Sequence, residues 1–257
     1  MKYTLITGAS SGIGLHLAHI FAKNNHNLIL VSRSEDTLYH IKKKLESLYK
    51  IDIKIIAMDI SGKIPATNLY KIIKKKTLEV DTLINNAGLG YHGEFLKKDI
   101  YSDIDLINLN IITPTILTKL FLQDMIKARR GKIFNIASTA AFQSGPLMSV
   151  YYGTKSYLLS FSEGIAEELR GTSIKVITLC PGPTKTSFEK MDKIEKGLFK
   201  NFHIAEPEDV AKYLYKNIDT KKDILIHGNL NKLLITLTKF IPRKINLYLI
   251  KKIQRKK

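Results

Sequence analysis

Seven short runs of aliphatic and β-branched residues punctuate the chain: "YTLITG" from Tyr3, "NLILVS" from Asn27, "IDIKIIAMD" from Ile51, "VDTLINN" from Val80, "GKIFNIAS" from Gly131, "SIKVITLC" from Ser173 and "DILIHG" from Asp223. Between them apolar residues recur at helical intervals, as at Leu38, Ile41, Leu45 and Leu48. Few folds tolerate that alternation. Parallel strands need a crossover, the crossover is a helix, and right-handed crossovers lay helices on both faces of the sheet. The expectation is an α/β, doubly wound parallel sheet of about seven strands. Its 257 residues suit one domain, and 44% hydrophobic with 25% charged residues excludes a disordered or fibrous chain. No linker or repeat interrupts residues 1–228, so these are expected to form the domain. Residues 229–257, with two amphipathic pieces broken at Pro242, read as an appended helical extension.

The first strand runs directly into "TGASSGIG", with Gly8, Gly12 and Gly14 ahead of a helix. Glycines let a backbone turn tightly beside a pyrophosphate, and a helix N-terminus offers N–H groups and a favourable dipole to negative charge. The spacing is not GxGxxG, and a Gly-Ser loop alone does no more than turn. Its place at the first strand–helix junction gives it weight. Twenty residues on, where dinucleotide folds read the adenosine ribose, stands "VSRSED". An acid closing the second strand would accept from a free 2′-hydroxyl, whereas Ser32 followed by Arg33 suits a 2′-phosphate. NADP is therefore expected over NAD, against a reading in which Glu35 or Asp36 takes the ribose.

With "TGASSGIG" at 7–14, "NNAG" at 85–88, Ser138 at a strand end, "YYGTK" at 151–155 and "PGPTKT" at 181–186, the chain resembles the short-chain dehydrogenase/reductase family over roughly residues 1–228. The resemblance implies a Rossmann-like sheet and a pyridine nucleotide. It implies a glycine loop (Gly8, Ser10, Ser11, Gly12, Ile13, Gly14) on the pyrophosphate and Asp59 at the adenine. Asn86, Ala87 and Gly88 fall on the ribose side, "NNAG" also bracing the central strand, while Pro181, Gly182, Thr184 and Thr186 line the nicotinamide. The catalytic group looks similar to Asn110, Ser138, Tyr151 and Lys155; Asn108 is a neighbouring candidate, and the family pattern selects Asn110.

Reducing a ketone brings hydride to carbon and a proton to oxygen, and water at neutral pH is a poor acid. A tyrosine phenol near pKa ~10 serves if an ammonium stabilises its phenolate. Lys155 lies within a helical turn of both Tyr151 and Tyr152, so helix geometry alone does not choose between them. The thirteen-residue interval from Ser138 and the family's YxxxK pattern both start at Tyr151, which leaves Tyr152 to packing or to the substrate mouth.

A net charge of +18 is concentrated at the end: no acid follows Asp223, while nine Lys and Arg do. Two readings stay open for that tail, a basic amphipathic surface resting on an anionic membrane or simple lysine-rich solvation. Nothing beyond charge points to nucleic acid, and none is expected as a partner. A single Cys180, read as a small core residue, excludes an intrachain disulfide and suits a reducing, cytoplasmic setting. No metal site is expected, His16 and His19 being read as packed or solvated. No apolar run reaches the ~18 residues of a membrane span. The resemblance further implies a homodimer or homotetramer formed through residues 99–127 and 149–170. Phe188, Met191, Leu198, Phe199 and Phe202 read equally as a lid over a hydrophobic carbonyl or alcohol substrate or as ordinary core.

Overall fold

The computed structural model describes residues 1–186 and 204–254; the five residues read as lid or core lie outside them. Strands β1 (Lys2–Thr7), β2 (Asn27–Ser32), β3 (Ile53–Ala57), β4 (Glu79–Asn85), β5 (Gly131–Ile136), β6 (Ile174–Cys180) and β7 (Ile224–Ile226) each fall within one of the seven apolar runs or overlap it closely. The helices are α1 (Gly12–Lys23), α2 (Glu35–Leu48), α3 (Lys63–Lys75), α4 (Ile100–Ile107), α5 (Thr113–Ala128), α6 (Ser149–Glu168), α7 (Pro207–Lys216), α8 (Asn229–Thr238) and α9 (Arg243–Gln254). All strands are parallel, in the order β3-β2-β1-β4-β5-β6-β7. The order reverses between β1 and β4, and ligands of open α/β sheets bind outside the carboxyl ends of the strands at such a switch point.

The strands are apolar almost throughout because both faces are covered. Along β1, Ile6 packs with Leu17, Phe21, Leu38, Val210 and Leu214 of α1, α2 and α7, while its neighbour Leu5 points the other way. Leu5 joins Leu69, Ile73, Leu117, Phe121 and Ala166 of α3, α5 and α6. A buried polar chain ties the second layer to the sheet. Asn85 donates to Thr118 (3.1 Å) and Asn135 (2.8 Å), Asn135 donates to Ser162 (2.8 Å), and Ser162 donates to the Leu158 carbonyl (2.6 Å).

Helices α4 and α5 run on through a π-helical turn at Asn108–Ile112. The joined helix, Ile100–Ala128, is long and apolar enough by composition to cross a membrane, which reading the apolar runs singly did not anticipate. Its Leu106, Leu117, Phe121 and Met125 are buried in the protein, as a core helix requires. Cys180 is fully buried beside Leu158 and Leu159.

Candidate active site

A cavity of about 770 Å³ opens along the carboxyl ends of the strands, toward the large end of ligand pockets, which span roughly 300–1,000 Å³. Its floor follows from the fold: strands β1 to β6 end here and hand the chain to loops. Gly8 follows β1, Ser32 closes β2, Met58 and Asp59 follow β3, Asn86 follows β4, Ser138 follows β5 and Pro181 follows β6.

Gly8 has φ +65, and a Cβ there would stand 2.9 Å from Ala87 Cα. At Gly14 a Cβ would collide with the Gly8 carbonyl oxygen, so α1 approaches the loop as closely as a backbone can. Asn86 fixes this arrangement by donating to the carbonyls of Thr7 (2.9 Å) and Gly8 (3.2 Å), while the Thr7 hydroxyl accepts the N–H groups of Asn86 and Ala87, each at 3.0 Å. On the far side Thr186 folds back onto Gly12, where a Cβ would meet its Cγ2 at 2.9 Å. The 181–186 segment is held there by an isolated bridge between Thr184 and Ala205.

At the β2 end, Ser32, Arg33 and Ser34 line the cavity; Glu35 and Asp36 do not, standing exposed in the first turn of α2. The Ser32 hydroxyl is buried, faces the cavity and has no partner. The Ser61 hydroxyl first, then the Ser61 N–H that Asp59 accepts at 2.8 Å and a lesser pull from Arg33, hold the Asp59 carboxyl below the usual range.

Ser138, Tyr151 and Lys155 converge on one wall. Ser138 caps a short 3₁₀ turn, its oxygen accepting the Ala140 N–H at 3.1 Å, and is hydrogen-bonded to the Tyr151 phenol. Burial pushes that phenol up to about 12, and the Ser138 bond pulls it the other way. The Lys155 ammonium donates to the Ile136 carbonyl (2.9 Å) and lies 5.8 Å from the centroid of the Tyr151 ring. Burial pushes its pKa down to about 8. Tyr152 turns elsewhere: its ring covers Gly145, and its hydroxyl accepts from Gln254 at 2.9 Å.

Of the residues expected at the site, all but two line the cavity. Gly14 is buried behind the loop, and its part is the close approach of helix to strand. Asn110 is 2% exposed in the π-turn. Its amide donates to the Leu89 carbonyl (2.8 Å) and Thr154 (3.0 Å), and its oxygen accepts the Leu89 N–H (2.9 Å). Asn108 faces Gly62 instead. The sequence reading missed Met58, Leu89, Tyr91, Gln143 and Met148, which also line the cavity. Met58 had a signal in its place at a strand end; the others sit in loops whose course no periodicity gives. His16 and His19 do not reach the cavity, and among the described residues no cluster of His, Cys, Asp or Glu could hold a metal.

The cradle left by Gly8 and Gly12 and the orphaned Ser32 hydroxyl fit a dinucleotide. Comparison with known proteins agrees with that fit. The family model described as "short chain dehydrogenase" matches residues 2–196. An NADP-dependent 3-hydroxy acid dehydrogenase of Schizosaccharomyces pombe is 30% identical over 236 residues, covering 89% of this chain and 91% of that protein. The human very-long-chain 3-oxoacyl-CoA reductase is 28% identical over 254 residues, 95% of this chain and 78% of that one. Among solved structures, a short-chain dehydrogenase from Sphingobium yanoikuyae in complex with NADPH superposes with a TM-score of 0.82 at 25% identity, over 95% of this chain and 97% of its own. With the switch-point cavity, the glycine cradle and these relatives together, the chain belongs to the short-chain dehydrogenase/reductase family and is an oxidoreductase that takes a pyridine nucleotide.

Proposed function

We propose that the protein interconverts a hydrophobic ketone and its secondary alcohol with NADP(H). The observation that carries the reading is the Ser138–Tyr151 hydrogen bond with the Lys155 ammonium beside the same ring, in the crevice where strand order reverses. NADPH, when bound, supplies the hydride. Tyr151 gives its phenolic proton to the carbonyl oxygen, and Ser138 holds that oxygen beside it. Lys155 stabilises the phenolate left behind and, in the reverse direction, makes Tyr151 a base. Asn110 acts through others, fixing the Leu89 backbone and Thr154, which precedes Lys155.

In this reading Gly8, Ser10, Ser11, Gly12 and Ile13 hold the pyrophosphate, Asp59 the adenine, and Asn86, Ala87 and Gly88 the ribose side. Pro181, Gly182, Thr184 and Thr186 border the nicotinamide. Arg33 as the cavity's basic residue at the β2 end, with Glu35 and Asp36 outside it, supports NADP over NAD. Leu89, Tyr91, Met148 and Tyr152 supply apolar lining for the substrate. Phe95, Leu96, Ile100, Tyr101, Ile104 and Ile107 stand exposed in one segment, which supports a homodimer or homotetramer through α4–α5 and α6. The lone buried Cys180 supports a cytoplasmic setting, with peripheral membrane contact through residues 229–257.

The deciding experiment follows NADPH and NADH consumption over a panel of ketones, 3-oxoacyl thioesters and steroids. Tyr151→Phe should lose ~10²–10⁴-fold in rate, the usual worth of a positioned acid, while Tyr152→Phe keeps most activity. Equal loss in both variants defeats the assignment.

A further inference from the structure

The two helices of the extension are amphipathic the wrong way round for a helix pair packed on a protein. Polar side chains face inward beside a single buried apolar residue among those described, Ile235. Asn231 donates to the His227 carbonyl (2.7 Å) and lies against Gly182, where a Cβ would stand 2.5 Å from its Nδ2. Asn246 reaches Gln143 (3.4 Å), and the nearly buried Gln254 donates to Tyr152 while its carbonyl contacts His92 at 3.1 Å. Gly182, Gln143 and Tyr152 all line the cavity, so the extension is fastened beside its mouth.

Outward, α8 presents Leu230, Leu233, Leu234 and Leu237, the i, i+3, i+4, i+7 stripe that ordinarily faces a core. Phe240 between the helices is 80% exposed, and α9 adds Tyr248 at 66%. Exposed Lys239, Arg243, Lys244, Lys251 and Lys252 stand among them, and no acid follows Asp223. A second copy of the face would set cations against cations with no carboxylate to pair them. A nucleic acid would leave the leucine stripe in water. An anionic lipid surface satisfies both halves: apolar side chains enter the acyl boundary while the cations meet phosphates.

We infer that the outer face of residues 229–254 docks on an anionic bilayer and sets the mouth of the cavity at the lipid surface, so that the ketone arrives from the membrane phase. The docking stands on its own; the delivery rests on the reductase reading above.

Flotation of the full-length protein with vesicles of phosphatidylcholine, with and without phosphatidylserine, tests the docking without turnover. Binding to the anionic vesicles alone is expected. It should weaken at least about tenfold in Leu233→Ser/Leu237→Ser/Phe240→Ser and in Arg243→Gln/Lys244→Gln/Lys251→Gln, the loss of several apolar and charge contacts at once. Unchanged NADPH affinity shows that each variant is folded; if the serine variant unfolds, the glutamine variant decides. No binding, equal binding to neutral vesicles, or a dimer abolished by the same substitutions overturns the docking. For delivery, both variants should reduce a water-soluble ketone at the parent rate and a vesicle-borne long-chain ketone more slowly; equal rates on the two overturn it. If the parent reduces neither ketone, the reductase reading fails and delivery with it, while flotation still judges the docking.

Discussion

Lys155 shows how much one buried ammonium is asked to do. Burial brings its pKa down to about 8, so it is charged at neutral pH by a narrow margin. If its charge holds the Tyr151 phenolate, kcat/KM should be level below about pH 8 and fall about tenfold per pH unit above it. The sign is fixed, because deprotonation removes the stabilising cation. Lys155→Arg, charged throughout, should remove that basic limb even if the absolute rate drops; a limb that persists assigns it to another group. Arg33 makes the complementary prediction for the cofactor. One charge-assisted contact to a 2′-phosphate contributes about 1.5–3 kcal/mol, so Arg33→Ala should raise the KM for NADPH about 10–100-fold and leave that for NADH unchanged. At this scale the sequence reading went as far as residue type and spacing allow. It put two tyrosines within reach of one lysine and chose Tyr151 on the interval from Ser138 and the family's YxxxK pattern, and the three-dimensional surroundings give the two phenols different partners: Ser138 for Tyr151, Gln254 for Tyr152.

The strands were legible as elements because each is buried on both faces and so reads as a nearly unbroken apolar run. β7 shows the limit: its run spans six residues and only Ile224–Ile226 is paired. The π-turn was not legible. An extra residue in a helix leaves no trace in a periodicity of three and four, yet this turn carries Asn110 into the space between Leu89 and Thr154. π-Turns recur at functional sites because they re-aim a side chain. Asn110→Leu would leave the Leu89 N–H and carbonyl unpaired. At about 1–3 kcal/mol for each stranded buried group the cost is about 2–6 kcal/mol, and the melting temperature should fall by roughly 4–24 °C in calorimetry. The junction of β1 and α1 is stricter still. Gly14→Ala adds one methyl where the Gly8 carbonyl already sits, and it should weaken dinucleotide binding by displacing Gly8 and Asn86, although Gly14 itself does not line the cavity.

At the scale of the molecule, the hydrophobic clusters end at Ile226 and contain no residue of α8 or α9. Of the extension's large apolar side chains only Ile235 is buried among the described residues, and the extension is tied to the body by the polar contacts of Asn231, Asn246 and Gln254 and by Lys232 over the Tyr213 ring. Such polar anchors look like solvated residues in a sequence, which is why the inward face of the extension could not be foreseen while its charge could. The energetics follow from the same division. Hydrogen bonds of this kind each contribute about 0.5–1.5 kcal/mol, against the many apolar side chains buried across the sheet. A chain ending at residue 228 should therefore unfold cooperatively within a few degrees of the full protein and bind NADPH with similar affinity, because the glycine loop, Arg33 and Asp59 keep every contact described. What it loses is the wall beside Gly182, Gln143 and Tyr152, so the KM for bulky ketones should rise while that for small ones holds. A shortened chain that melts without cooperativity would mean that the helices complete the core, and that the polar anchors understate their grip.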